Sequence, residues 1–174
     1  MKKLRLLVTK NCPKNCAGCC NKDWDLGSLP VVEHFNYDEI ILTGGEPFHP
    51  SAYKKTVGTI YFLKEVMPND NRKVYIYTTD AWSIYDCLEL VDGFTLTLHE
   101  QKDVYNFVAA NDAIKDYLEE HPLFKCSLRL HIFKGIVLPE DIDLTNWKVK
   151  DNIEWIKNCP LPEDEEFRRL PNIT

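Results

Sequence analysis

Cys12, Cys16 and Cys19 stand in C-x3-C-x2-C spacing directly after an apolar run, Leu4 to Val8. Thiolates spaced this way on a short loop can converge on one metal centre. Iron–sulfur clusters are held by cysteine thiolates, and a four-iron cubane normally takes four. A further cysteine, Cys20, is adjacent to Cys19. Neighbouring side chains in a loop rarely reach two corners of one small cluster. The spacing therefore assigns Cys12, Cys16 and Cys19 as ligands and leaves one iron open to a reactant, as catalytic zinc keeps an open position. Gly18 is expected to let the loop turn tightly, and Pro13 to fix its entry. Two other uses of these cysteines stand beside this one. Zinc takes four sulfur or nitrogen ligands, and Cys87, Cys126 and Cys159 are available to a structural knuckle, although no second pair at finger spacing follows. A disulfide framework is disfavoured by the odd count of 7 cysteines and by the lack of an export pattern in the short basic start, Met1 to Arg5.

A second stretch, Gly44-Gly45-Glu46-Pro47, ends another strand-like run, Glu39 to Thr43. Paired glycines remove side chains where backbone must approach something closely. Alone this is a common turn; its place after a strand and after the cysteine loop gives it weight. In this order, each motif after a strand-like run, the pair resembles the signature of the radical S-adenosylmethionine (SAM) enzymes. The resemblance covers the run from Leu4 to about His131 and is specific only at the two motifs. It implies a 4Fe-4S cluster held by Cys12, Cys16 and Cys19. The open iron would bind SAM, and the reduced cluster would cleave it to methionine and a 5′-deoxyadenosyl radical that abstracts hydrogen from a substrate. It implies that Gly44, Gly45 and Glu46 meet the amino group of SAM. Thr78 lies where the pocket is lined, and Thr97 and His99 (with Glu100) lie where a polar strand end meets the ribose. The family often has T-N-G where this chain has Thr78-Thr79-Asp80-Ala81. The cofactors would carry the hard chemistry, with an external flavodoxin- or ferredoxin-like reductant.

The substrate, small molecule or protein, is not legible. The segment Cys16-Ala-Gly-Cys19-Cys20-Asn21 and the small size resemble activases of glycyl-radical enzymes, those of anaerobic ribonucleotide reductase above all. The G-P-G-x-R-like turn that such activases carry before the first strand is missing here. A non-enzymatic zinc-binding interaction module is the alternative of another class.

The elements must hold these loops at one end of a sheet. Strand-like runs at Leu4–Thr9, Glu39–Thr43, Lys73–Thr78, Asp92–Leu98 and Cys126–Phe133 alternate with helical spacing over Ser51–Met67, Trp82–Val91 and Val104–Leu118. Ser51 is a candidate helix cap, and Pro68 to Asn71 is a breaker. This alternation predicts an α/β fold, a partial, incomplete β/α TIM-like barrel of about five or six parallel strands, since a closed barrel needs about 250 residues. One domain over 1–174 is expected, its core over about 3–133, with 134–174 as an extension. Within that extension, Asn152 to Ile156 is a candidate sixth strand, and the charged segment from Pro160 is loose or wrapped along the domain. Arg129 and His131 share one face of the fifth strand, which lines the interior or meets solvent. Trp24 is expected to pack under the cysteine loop, and His49 to be solvated.

Composition bounds the rest. The 174 residues are 44% hydrophobic and 28% charged, ordinary for a globular chain, with no apolar run long enough to span a membrane. A net charge of −6 disfavours a broad nucleic-acid surface. Unpaired cysteines without a targeting segment, and an oxygen-labile cluster, point to the cytoplasm.

Overall fold

The structure, a computed structural model, describes residues 1–69 and 71–173. Residue 70, inside the predicted breaker, and residue 174, the end of the charged tail, lie outside the described residues. The described chain is α/β, with β1 (Lys3–Thr9), β2 (Glu39–Gly44), α1 (Tyr53–Tyr61), β3 (Lys73–Thr78), α2 (Ala81–Asp86), β4 (Gly93–Leu98), α3 (Asp103–Glu120), β5 (Ser127–Phe133), β6 (Trp147–Ile153) and β7 (Glu165–Arg169). It divides into two compact units, residues 1–76 with 155–174, and residues 77–154.

In the first unit β2 pairs with β3 on one side and β1 on the other, and β1 pairs onward with β7, all parallel. The apolar run of β1 has Leu4, Leu6, Leu7 and Val8 fully buried, as a parallel strand covered on both faces requires. A register shift between Leu7 and Thr9 brings Thr9 opposite Gly44, at the end where both motifs begin. The predicted helix over Ser51–Met67 is α1 followed by a π-helical turn, Phe62–Val66, closed by the Met67 N–H to the Phe62 carbonyl at 2.8 Å. Its N-terminus at Ala52 has no side-chain cap. Ser51 turns its hydroxyl to His49 Nδ1 at 2.8 Å and accepts from Asn11 Nδ2 at 2.9 Å.

The second unit layers β4, β5 and β6, again parallel, against α3. Phe94, Leu96, Leu128 and Leu130 are buried together with Phe107 and Ile114 of the helix. Trp147 of β6 meets Phe107 edge-on at 5.4 Å, and its indole N–H donates to Asn111 Oδ1 at 2.7 Å. Asn111, buried in the helix, passes its own N–H to the Asp143 carbonyl at 3.0 Å. On α2, Ile84 is buried and Tyr85 is exposed.

Seven strands among the described residues replace the five or six expected. The sixth lies at Trp147–Ile153, earlier than the 152–156 expected, and the seventh lies in the charged tail. Glu165-Glu-Phe-Arg-Arg169 has one apolar residue and no strand-like apolar pattern. It is held by its pairing to β1, by ion pairs of Lys3 with Asp164 (3.3 Å) and Arg5 with the buried Glu165, and by Phe167. Phe167 packs with Leu7, Leu26 and Leu29, and Trp24 closes on it edge-on at 5.5 Å.

One buried cation ties the π-turn to the loop before β2. Arg72 Nη1 donates to the Leu63 and Met67 carbonyls at 3.2 and 2.8 Å, and Nη2 to the Phe35 carbonyl at 2.8 Å. Burial lowers the pKa of Arg72 from the ordinary arginine value, and those carbonyls are what compensates the charge. Arg72→Met is expected to lower unfolding stability by about 2–4 kcal/mol, the scale of lost charged hydrogen bonds and carbonyls left without a donor. Urea denaturation checks this; a loss within about 0.5 kcal/mol, the range of an ordinary surface substitution, would show that water replaces the cation.

Candidate metal centre and the loop that backs it

Both motif loops belong to the first unit and leave the same end of adjacent strands. They are joined through backbone. The Gly45 N–H donates to the Thr9 carbonyl at 2.8 Å, and the Glu46 N–H to the Asn11 carbonyl at 2.7 Å. Asn21, just past the cysteines, returns its side-chain N–H to the Gly44 carbonyl at 2.6 Å. The glycines follow from this closeness. A Cβ on Gly45 would stand 2.0 Å from the Asn11 oxygen, and one on Gly44 would stand 2.3 Å from the Thr9 oxygen. Gly44 also has φ +155°, which side-chain-bearing residues rarely adopt. The close approach that the paired glycines predict is thus an approach of the chain to itself. Glu46 is buried, 3% exposed, and its Oε1 accepts from the Phe48 N–H at 3.1 Å.

The cysteine loop carries Cys12 exposed and Cys16 and Cys19 half-buried, all outside any disulfide. The Lys14 N–H reaches Cys12 Sγ at 3.4 Å. Although Cys12 is exposed as a residue, desolvation around its sulfur raises its thiol above the ordinary pKa; the Lys14 N–H opposes this, and Glu46, Cys19 and Cys16 add to the rise. Cys12 therefore feels the other two sulfurs, with Glu46 alongside. Among the described residues no three or more His, Cys, Asp or Glu side chains are arranged to hold a metal ion. The donor set fits a thiolate-ligated centre in chemistry and in loop placement; its side chains do not yet converge.

A disulfide joins Cys20 to Cys159, their Cα atoms 5.5 Å apart. It brings residues 155–159 onto the cysteine loop, where a Cβ on Gly18 would meet Trp155 Cγ at 2.3 Å. Gly18 has no left-handed φ. It lies in the turn expected, Ala17–Gly18 closed by the Cys19 N–H to the Cys16 carbonyl at 3.3 Å, and is also a seat for the indole. A cleft of about 280 Å³ is lined there by Ala17, Cys19, Lys22, Asp23 and Ile156 among others.

The other three candidates belong to the second unit. Thr78 is buried at the end of β3 and accepts from the Asp80 N–H at 2.9 Å, satisfying its own turn. Thr97 is half-buried on β4, opposite His131. The half-buried His99 donates its N–H to Asp103 Oδ2 at 2.9 Å and lies 4.8 Å from the Phe133 ring. Thr9, Asn11, Asn21 and Trp155 are structural members of the first-unit site that motif reading misses. Asn21 carries a weak signal in its place directly after the cysteines; Trp155, 136 positions beyond Cys19, carries none. Compared with known proteins, the chain matches no family model and no curated protein.

The glycine contacts separate three substitutions that look alike in sequence. Gly45→Ala is expected to destabilise by about 1–3 kcal/mol, the scale of overpacking against backbone. Gly18→Ala is expected to unseat the indole and shift its fluorescence. Gly58, inside α1 with nothing within 4 Å of its added Cβ, should gain about 0.5–1 kcal/mol as alanine. Denaturation midpoints and Trp155 emission read all three; equal stability of the Gly45 and Gly58 variants would break the reading of the loop contact.

Proposed function

We propose that the chain is a radical SAM enzyme on a partial, open β/α barrel; the Cys20–Cys159 disulfide runs against the cytoplasmic setting expected from unpaired cysteines. One observation carries this reading: the two motif loops, 24 residues apart from Asn21 to Gly45, are a single hydrogen-bonded unit. Gly45 and Glu46 spend their N–H groups on Thr9 and Asn11, while the Gly44, Glu46 and Pro47 carbonyls accept from Asn21, His49 and Thr56; a carbonyl has a second lone pair, so this loop still meets a ligand as an acceptor. An acceptor suits an ammonium donor, such as the amino group of SAM. A loop built to cradle phosphate would need the opposite, free N–H groups. No helix among the described residues is long and apolar enough to cross a membrane.

In this reading Cys12, Cys16 and Cys19 hold a 4Fe-4S cluster. Bound together, cluster and SAM would supply one-electron cleavage of the sulfonium. Gly44, Gly45 and Glu46 place the methionine end of SAM against the cysteine loop. Within the second unit, Thr97 near the end of β4 and His99 just past it are the residues that the resemblance gives to the ribose, and Thr78, at the end of β3, is the one it gives to the pocket lining. An external one-electron reductant of the flavodoxin or ferredoxin kind completes the system, and the substrate stays open.

Anaerobic reconstitution with iron and sulfide, then incubation with SAM and dithionite, tests the proposal. About four irons per chain, visible absorbance and release of 5′-deoxyadenosine are expected. Alanine at Cys12, Cys16 or Cys19 should abolish the absorbance, and Cys20→Ala should keep it. Gly45→Leu should lose cluster and SAM binding together, because the residue backs the cysteine loop. Zinc in place of iron, with no cleavage of SAM, would overturn the proposal.

A further inference from the structure

The cross-link between Cys20 and Cys159 has no part in holding a metal on the cysteine loop. It gives the chain cysteines in two oxidation states. This pair is a disulfide, while Cys12, Cys16, Cys19, Cys87 and Cys126 stand outside any disulfide. Chains built for an oxidising compartment pair their cysteines; where thiols predominate, a disulfide is usually transient or redox-sensing. The segment that the cross-link holds lies between β6 and β7. Over residues 154–164 Cys159 is buried, Leu161 is half-buried and the rest are exposed. Asn158 and Cys159 both have left-handed φ, 64° and 31°. Asn tolerates that conformation, whereas for most residues with a side chain it persists only where the surroundings impose it. The cross-link is the covalent restraint at that point. The segment lies on the cysteine loop. Trp155 sits against Gly18, and Trp155 and Ile156 wall the cleft of about 280 Å³ that Ala17, Cys19 and Lys22 line from the other side. The strand that follows has its own anchors: β7 is held by pairing to β1, by the ion pairs of Lys3 and Arg5, and by Phe167.

We infer that Cys20–Cys159 is a reversible redox site, and that its reduction releases the 154–163 segment from the cysteine loop and opens the cleft beside Cys19. A dithiol supplies the two electrons. Its thiolate attacks one sulfur and the Cys20–Cys159 bond breaks. Each of the two protein sulfurs ends as a thiol with one proton, and the two sulfurs of the reductant close a disulfide of their own. Cys20 is half-buried, which leaves the attacking thiolate an approach. The bond joins residues 139 apart in sequence, so its loss removes the covalent tie between the segment and the loop. β7 stays in place on its own anchors, and the change is confined to the cleft. The inference holds whether the cysteine loop takes iron, zinc or no metal.

Trypsin and thiol alkylation test it on the full chain, freed of metal with a chelator. Lys157, exposed and followed by Asn158, is a tryptic site inside the segment, and Arg168 and Arg169 report on β7. Glutathione buffers of graded ratio, read by alkylation and mass spectrometry, should half-reduce the pair in the folded chain, whereas structural disulfides resist that pool. The variant Cys20→Ser/Cys159→Ser, which needs no reductant, should show cleavage after Lys157 and alkylation of Cys19 about tenfold faster than the oxidised chain, since both track the population of the open segment. The unsubstituted chain in dithiothreitol should match that cleavage rate, with β7 resistant in both. A pair reduced only on unfolding, thiols at both positions after air oxidation, cleavage within β7 on reduction, or Lys157 and Cys19 unmoved by loss of the cross-link would each overturn the inference.

Discussion

The first unit depends on two backbone hydrogen bonds, Gly45 to Thr9 and Glu46 to Asn11, at 2.8 and 2.7 Å. Strand pairing brings β1 and β2 side by side, but it ends at Thr9 and Gly44. Beyond that point the chain has no ladder to follow, and a loop of polar residues and cysteines would be free to wander. The two bonds continue the pairing past the strand ends at the cost of every side chain at Gly44 and Gly45. Asn21 closes the far end of the cysteine loop on the same glycine pair. The loop is therefore held at its start and its finish by one short segment of β2. A substitution in the glycine pair is then a substitution in the cysteine loop, although the two lie far apart in sequence.

The strands were legible where burial on both faces leaves an uninterrupted apolar run, as in β1 and β2, or where alternation is strict, as in β5. They were illegible where another strand, not the core, holds the segment. β7 has Phe167 as its one buried apolar side chain and otherwise consists of glutamates and arginines. It is a strand because β1 offers an open edge and because Lys3 and Arg5 form ion pairs with Asp164 and Glu165, each N-terminal to its register partner, Glu165 and Phe167. β6 similarly shows one buried residue, Trp147, ahead of a polar run. Pairing partners are non-local, and no window along the chain contains them.

The same limit applies to the site. Cysteine spacing and the glycine pair announce themselves locally, so the loops could be named from the sequence. The reason for each glycine could not, because it lies in the atoms of a distant segment. Gly18 is small because Trp155 sits on it, and Gly45 because Asn11 does. Cys20 looks like a fourth member of the cysteine run, yet its partner is Cys159. Ser51 looks like a helix cap, yet its hydroxyl serves His49 and Asn11 instead. In each case the residue type was informative about size or polarity and silent about address.

Electrostatics gives the cysteine loop a further property. The Cys12 thiol is raised above its ordinary pKa by desolvation of its sulfur first, against the Lys14 N–H, and then by Glu46, Cys19 and Cys16. Ionising all three thiols without a cation would crowd negative charge beside a buried glutamate in a chain that is already acidic. In the proposed reading a metal centre would take the sulfurs as thiolates, which protonated thiols do not supply. The protons held on the thiols would leave as the centre assembles. The loop is thus held in position by backbone, and over residues 10–22 its charged side chains are three lysines, Lys10, Lys14 and Lys22.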